Sequence, residues 1–81
     1  MWNSLLGDNM ELKSLIGEYI EKSGLKKKFI ADKIGVSVKQ LRNYETGHSF
    51  IPMNKAFILA DLLGKKVDDL YEWRKENEDQ V

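Results

Sequence analysis

Ser37, Val38, Lys39, Arg42 and Asn43 bring together, within seven positions, the side chains that reading a nucleic acid requires. Two cations can meet phosphates, an amide can donate to and accept from a base edge, and a methyl-bearing side chain can touch a thymine methyl. They stand in the stretch Ile30 to Thr46, which has a helical apolar rhythm. Ile30, Ala31 and Ile34 follow that rhythm, Gly35 interrupts it, and Val38, Leu41 and Tyr44 resume it three apart. The spacing predicts two short helices joined by a tight turn. Ser37 suits the N-cap of the second, because its hydroxyl can accept from an amide left free in the first turn. Gly35 suits a turn position with positive φ. Val38, Lys39, Arg42 and Asn43 then point partly or wholly away from the apolar seam, as in a helix-turn-helix that reads DNA.

Two further sets of residues bear on that chemistry. Lys26, Lys27 and Lys28 cluster at a predicted helix start, where cations gain nothing from the helix dipole. A phosphate would compensate, pairing with the lysines while accepting the free amides; the alternative is a solvated basic face with no ligand. His48, the single histidine, lacks a second ligand at metal-site spacing and is read as having a loop or phosphate-side role, the alternative being an unremarkable surface position. Catalysis is not expected. The carboxylates are scattered, there is no cysteine, and no glycine-rich phosphate loop occurs.

Eighty-one residues suffice for one domain with a modest core. The absence of cysteine excludes disulfides and thiolate metal sites and fits a reducing, cytoplasmic setting. No apolar run approaches the roughly 20 residues of a membrane span, and the start does not read as a signal peptide. The formal charge of zero conceals an asymmetry. Met10 to Lys66 holds eleven lysines and arginines against six carboxylates, a net +5, whereas Val67 to Val81 holds six carboxylates against two cations, a net −4.

Around the central stretch the spacing predicts an all-α chain, a compact bundle of about five helices. Leu12, Leu15, Ile16, Tyr19 and Ile20 predict a first helix from Glu11 to about Ser23, ended by Gly24, with Leu25 turned inward. Ala31 is small where two steeply crossed helices approach, and Val36 should fill the space under the turn. Gly47 to Ile51 reads as a loop: Gly47 is a left-handed C-cap, and Phe50 or Ile51 is the anchor to the core. Pro52 suits the start of a fourth helix, with Ala56, Phe57, Leu59, Ala60, Leu62 and Leu63 as its buried stripe and Ile58 half exposed. Val67, Leu70 and Tyr71 serve a short fifth helix with Asp68 and Asp69 in its first turn. The expected divisions are an N-terminal extension over 1–9, a domain over 10–73 and an acidic flexible tail over 74–81. Trp2 and Leu5 in the extension, with Tyr71 and Trp73, are possible interface residues. The extension could instead cover an edge of the core, and so could Trp73.

With these residues in order, the chain resembles the phage repressor and Cro-like helix-turn-helix family, also called the XRE family, from about Leu12 to Tyr71. The matching segments are Ile30-Ala31-Asp32-Lys33-Ile34-Gly35-Val36-Ser37, Leu41 with Tyr44-Glu45-Thr46-Gly47, Ala60-Asp61-Leu62-Leu63-Gly64 and Val67-Asp68-Asp69-Leu70-Tyr71. The resemblance implies a five-helix bundle, major-groove binding to double-stranded DNA, pairing as a homodimer on a two-fold operator, and transcriptional control, by repression above all, without a cofactor or metal. It assigns base contact to Val38, Lys39 and Asn43, with Gln40 beside them. Phosphate contact falls to Ser37, Arg42, His48 and the lysines 26–28, Lys27 replacing the family's usual glutamine. Glu45 is read as a structural partner rather than a base contact. Pro52 stands one residue later than the family's common proline, and Lys65 replaces a residue that is usually apolar. The competing reading keeps the fold but makes a regulatory protein the main partner, engaged through Trp2, Trp73 or the acidic end.

Overall fold

The computed structural model describes residues 10–75, and they form β1 (Met10–Ser14), α1 (Ile16–Ser23), α2 (Lys27–Ile34), α3 (Val38–Thr46), α4 (Met53–Leu63), a 3-10 turn (Val67–Leu70) and β2 (Tyr71–Lys75). Trp2 and Leu5, and the acidic stretch over 76–81, lie outside the described residues.

The four helices share one core. Ile16 and Ile20 of α1, Ile30, Ala31 and Ile34 of α2, Leu41 and Tyr44 of α3, and Ala56, Leu59 and Ala60 of α4 are buried together with Ile51 and Leu70. Ile16, Ile30, Leu41, Leu59 and Leu70 are fully enclosed. Each such side chain contributes about 1.5–3 kcal/mol to the favourable side of folding. No polar or charged residue is buried outright among the described residues, so the core carries no charge to be neutralised. Leu25 and Val36 lie half-buried against the core, as their positions beside the turns predict.

The all-α expectation needs correction. β1 and β2 pair antiparallel, Met10 opposite Lys75, Glu11 opposite Arg74, Leu12 opposite Trp73, Lys13 opposite Glu72 and Ser14 opposite Tyr71. The described residues are thus mostly helical, with a two-stranded ribbon that joins their first and last segments. Met-Glu-Leu-Lys alternates apolar and polar residues, as does Tyr-Glu-Trp-Arg, and Tyr and Trp favour strands. Leu12 also fits the helical period of α1, but an opposite-charge partner for Glu11 and another for Lys13 stand some 60 residues away along the chain. The ribbon forms because the fold brings those partners together. It also takes over the expected fifth helix, which shortens to the 3-10 turn, and it absorbs Arg74 and Lys75, which were expected to begin the flexible tail.

The joint between β1 and α1 is held by two groups. Leu15 N–H donates to the Leu70 carbonyl (2.8 Å), and the Ser14 hydroxyl donates to the Tyr44 carbonyl (2.7 Å) while accepting from Ile16 N–H (3.3 Å). Ser14 therefore ties the ribbon to the last turn of α3 and replaces the missing side-chain cap of α1. Phe57 is a second correction: it is 62% exposed, with Met53 one turn earlier on the same side of α4. Ala56, Leu59 and Ala60 fill the core on that helix, so the stripe predicted from the sequence was one residue too wide.

Candidate nucleic-acid interface

The turn between α2 and α3 is built from backbone bonds and one lysine. Gly35 closes α2 at φ +79°, its N–H donating to the Ala31 carbonyl at 2.8 Å, and Val36 N–H reaches the same carbonyl at 2.9 Å. A residue with a Cβ would be strained at that φ. Lys55 of α4 extends across and donates from Nζ to the Ile34 carbonyl at 3.0 Å, satisfying one of the acceptors that the end of α2 leaves free. Sequence reasoning gave Lys55 no role, because the only signal was a lysine at a half-buried position of a predicted helix. Ser37 then caps α3 as its residue type predicts, its Oγ accepting from Gln40 N–H at 3.0 Å.

With the cap and turn set, the orientation of α3 follows from its core-facing residues. Leu41 and Tyr44 are buried, and Val38 lies half-buried against the same cluster. Lys39, Arg42 and Thr46 fall three and four apart on the opposite side and are exposed. Gln40 and Asn43 flank that exposed stripe at intermediate burial, the Asn43 amide donating to Gln40 Oε1 at a long 3.5 Å. The helix thus presents two cations and two amides on contiguous faces, while Val38 is turned in part toward the core and offers only a portion of its surface.

The loop after α3 is tied to its end. Gly47 caps it at φ +84°, Ser49 N–H donates to the Asn43 carbonyl (3.1 Å), and His48 N–H donates to Thr46 Oγ1 (3.3 Å), leaving the His48 side chain exposed. Ile51, not Phe50, is the anchor. It is buried, and its N–H donates to the Tyr71 hydroxyl at 3.0 Å; Phe50 is exposed and meets the Tyr71 ring edge-on. Burial pushes the Tyr71 phenol above its ordinary pKa, the bond from Ile51 offsets part of that rise, and Tyr44 adds to it.

The basic cluster divides into three roles. Lys26 is the N-cap residue of α2 and is exposed. Lys28 pairs at 3.7 Å with Asp32 one turn on, an exposed contact of little energetic weight. Lys27 forms a 3.1 Å ion pair with Glu45, and so joins the first residue of α2 to the last turn of α3. This is the structural bond expected of Glu45, and any phosphate reached by Lys27 shares the ammonium with that carboxylate. Glu45 Oε2 is enclosed without a hydrogen-bond partner. Lys65, in a position expected to be apolar, sets its ammonium over the Tyr19 ring at 4.7 Å, so its charge is accommodated against the bundle. No group of metal-binding side chains occurs among the described residues, and none of their helices is long and apolar enough to cross a membrane.

Two helices joined by a capped three-residue turn, the second one exposing cations and amides, define the helix-turn-helix class of domain. A family model described as helix-turn-helix, HTH_3, matches residues 16–70, most of the chain, and the protein therefore belongs to the HTH_3 helix-turn-helix family. That family is one of DNA-binding regulators, not of enzymes. The match begins with α1 and ends with the 3-10 turn, so both strands of the ribbon fall outside it. No curated protein matches the chain.

Proposed function

We propose that the protein is a sequence-specific regulator of transcription, a repressor that binds double-stranded DNA in the major groove as a homodimer. The observation that carries this reading is the outward face of α3, where Lys39, Gln40 and Asn43 flank one another beside Arg42. Lys39 donates to guanine O6 or N7, Asn43 pairs with adenine, Gln40 supports or shares that contact, and Val38 contributes what it exposes to a thymine methyl. Arg42, Ser37, His48 and the lysines 26–28 position the module on phosphates. Two copies on a two-fold site double the contact surface, which a single small module needs for specific affinity. Repression then follows from occupancy of the site.

The test is selection from a random duplex library, followed by titration of wild type and Asn43→Ala on the enriched sequence. Enrichment of a palindrome, with weaker and less selective binding by Asn43→Ala, supports the assignment. Affinity should also fall steeply with salt, the slope of log affinity against log salt steepening by roughly one for each neutralised phosphate. Failure to enrich any sequence above a salt-sensitive background refutes specific reading and turns attention to a protein partner.

A further inference from the structure

We propose that the free edge of β2 is the dimer contact: two copies pair β2 to β2 about a two-fold axis at Trp73, making one four-stranded sheet. This rests on the dimeric part of the function proposed above. A two-stranded ribbon is only marginally stable alone, and its edges are templates for further pairing. β1 lies against the end of α3, its Leu12, Lys13 and Ser14 sharing a recess with Glu45, Thr46 and Gly47 that Arg74 of β2 borders beside Glu11. The outer edge of β2 makes no backbone hydrogen bond among the described residues. Trp73, at its centre, is 66% exposed, and its cross-strand neighbour Leu12 is 38% exposed.

The hydrogen-bond phase agrees with such a contact. The bond from Leu15 N–H to the Leu70 carbonyl marks that position as a hydrogen-bonded pair, and antiparallel alternation makes Lys13–Glu72 and Glu11–Arg74 the next two. The N–H and carbonyl groups of Tyr71 and Trp73 therefore point away from β1. With the axis at Trp73, the two Trp73 residues exchange both of their outward bonds, and Glu72 of each copy stands opposite Arg74 of the other. One face then carries a row of Leu12, Trp73 and the same two residues of the second copy in reverse. The other face carries Lys13 and Glu72, then Arg74 and Glu11 of the second copy, so charges alternate across all four strands. Moving the axis one residue toward the body sets Glu72 opposite itself, and one residue outward does the same to Arg74. Like charges directly opposite are unfavourable, so the charge pattern selects this register.

The experiment is sedimentation equilibrium of the full chain, without DNA, for wild type, Glu72→Arg, Arg74→Glu and an equimolar mixture of the two variants, with thermal melts to verify folding. Each variant alone turns both intermolecular pairs repulsive and should associate about tenfold more weakly. The mixture restores two attractive pairs and should regain most of the wild-type affinity. Each variant carries its own within-chain repulsion into the mixture unchanged, so rescue reports the intermolecular pairing alone. A mixture no tighter than the single variants, or a wild type that stays monomeric, overturns the proposal. Loss of association in Phe57→Glu with none in Glu72→Arg also overturns it and moves the contact to α4. Because no DNA is present, failure here leaves the duplex-selection result to stand or fall separately.

Discussion

Lys55→Met separates two readings of a lysine beside the helix-turn-helix. Its ammonium donates at 3.0 Å to the Ile34 carbonyl, at the negative end of α2, and lies 3.5 Å from where a Cβ on Gly35 would stand. Methionine keeps most of the aliphatic stem but removes the donor, so the Ile34 carbonyl loses its partner at a half-buried site. A hydrogen bond from a charged donor contributes about 1.5–3 kcal/mol, and partial exposure places the expected loss near the lower bound, about 1.5 kcal/mol. For a domain of this size that corresponds to a fall in Tm of about 6–12 °C. Thermal unfolding followed by far-ultraviolet circular dichroism, at two salt concentrations, is the assay. A part-buried bond should keep most of its contribution at the higher salt. DNA titrations on the same variant should retain the wild-type salt slope. A Tm within about 2 °C of wild type, together with a salt slope reduced by about one, would refute the reasoning and make Lys55 a phosphate contact.

Three other perturbations follow from the same geometry. Ser37→Ala removes the acceptor of Gln40 N–H and should cost about 1 kcal/mol, read as a lowered urea midpoint with an unchanged slope; an unchanged midpoint means that the cap contributes nothing. Lys27→Met leaves the mostly buried carboxylate of Glu45 without its ion-pair partner and should destabilise by about 1 kcal/mol, discounted because the lysine is itself 45% exposed; an equally stable variant would place the pair among surface contacts without weight. Tyr71 is raised in the folded state, so its neutral form is the one that folding favours. Its contribution is therefore complete below the unfolded value of about 10 and is lost as pH rises through the higher folded value. Tyr71→Phe should lower stability at neutral pH, by stranding the Ile51 N–H, and should flatten the alkaline decline. A steep decline retained in the variant would assign it to other groups.

The helix-turn-helix was legible in the chain because its turn, its cap and its apolar spacing are local. Gly35, Ser37 and the three-apart spacing of Val38, Leu41 and Tyr44 act within a few residues, and Glu45 as a structural partner was legible from its place at the end of the same helix. Phe57 was misplaced for a different reason. A run of apolar residues on α4 carries more candidates than one helix face can bury, and only the neighbours decide which one is left out.

By itself the sequence determined four of the five helices it predicts, the caps at Ser37, Gly35 and Gly47, the core stripes on α2 and α3, and the outward set of Lys39, Arg42 and Asn43. These depend on backbone preferences and on periods within one element. Tertiary structure alone decided the ribbon, the reach of Lys55 to Ile34, the bond from Ser14 to Tyr44 and the partner of Lys27. Each joins residues far apart in the chain, and a strand of five residues has no stability until its partner arrives. Leu12 fits both the helical stripe of α1 and the strand alternation of Met10–Ser14, and the choice between them is made only when folding carries Tyr71–Lys75 alongside.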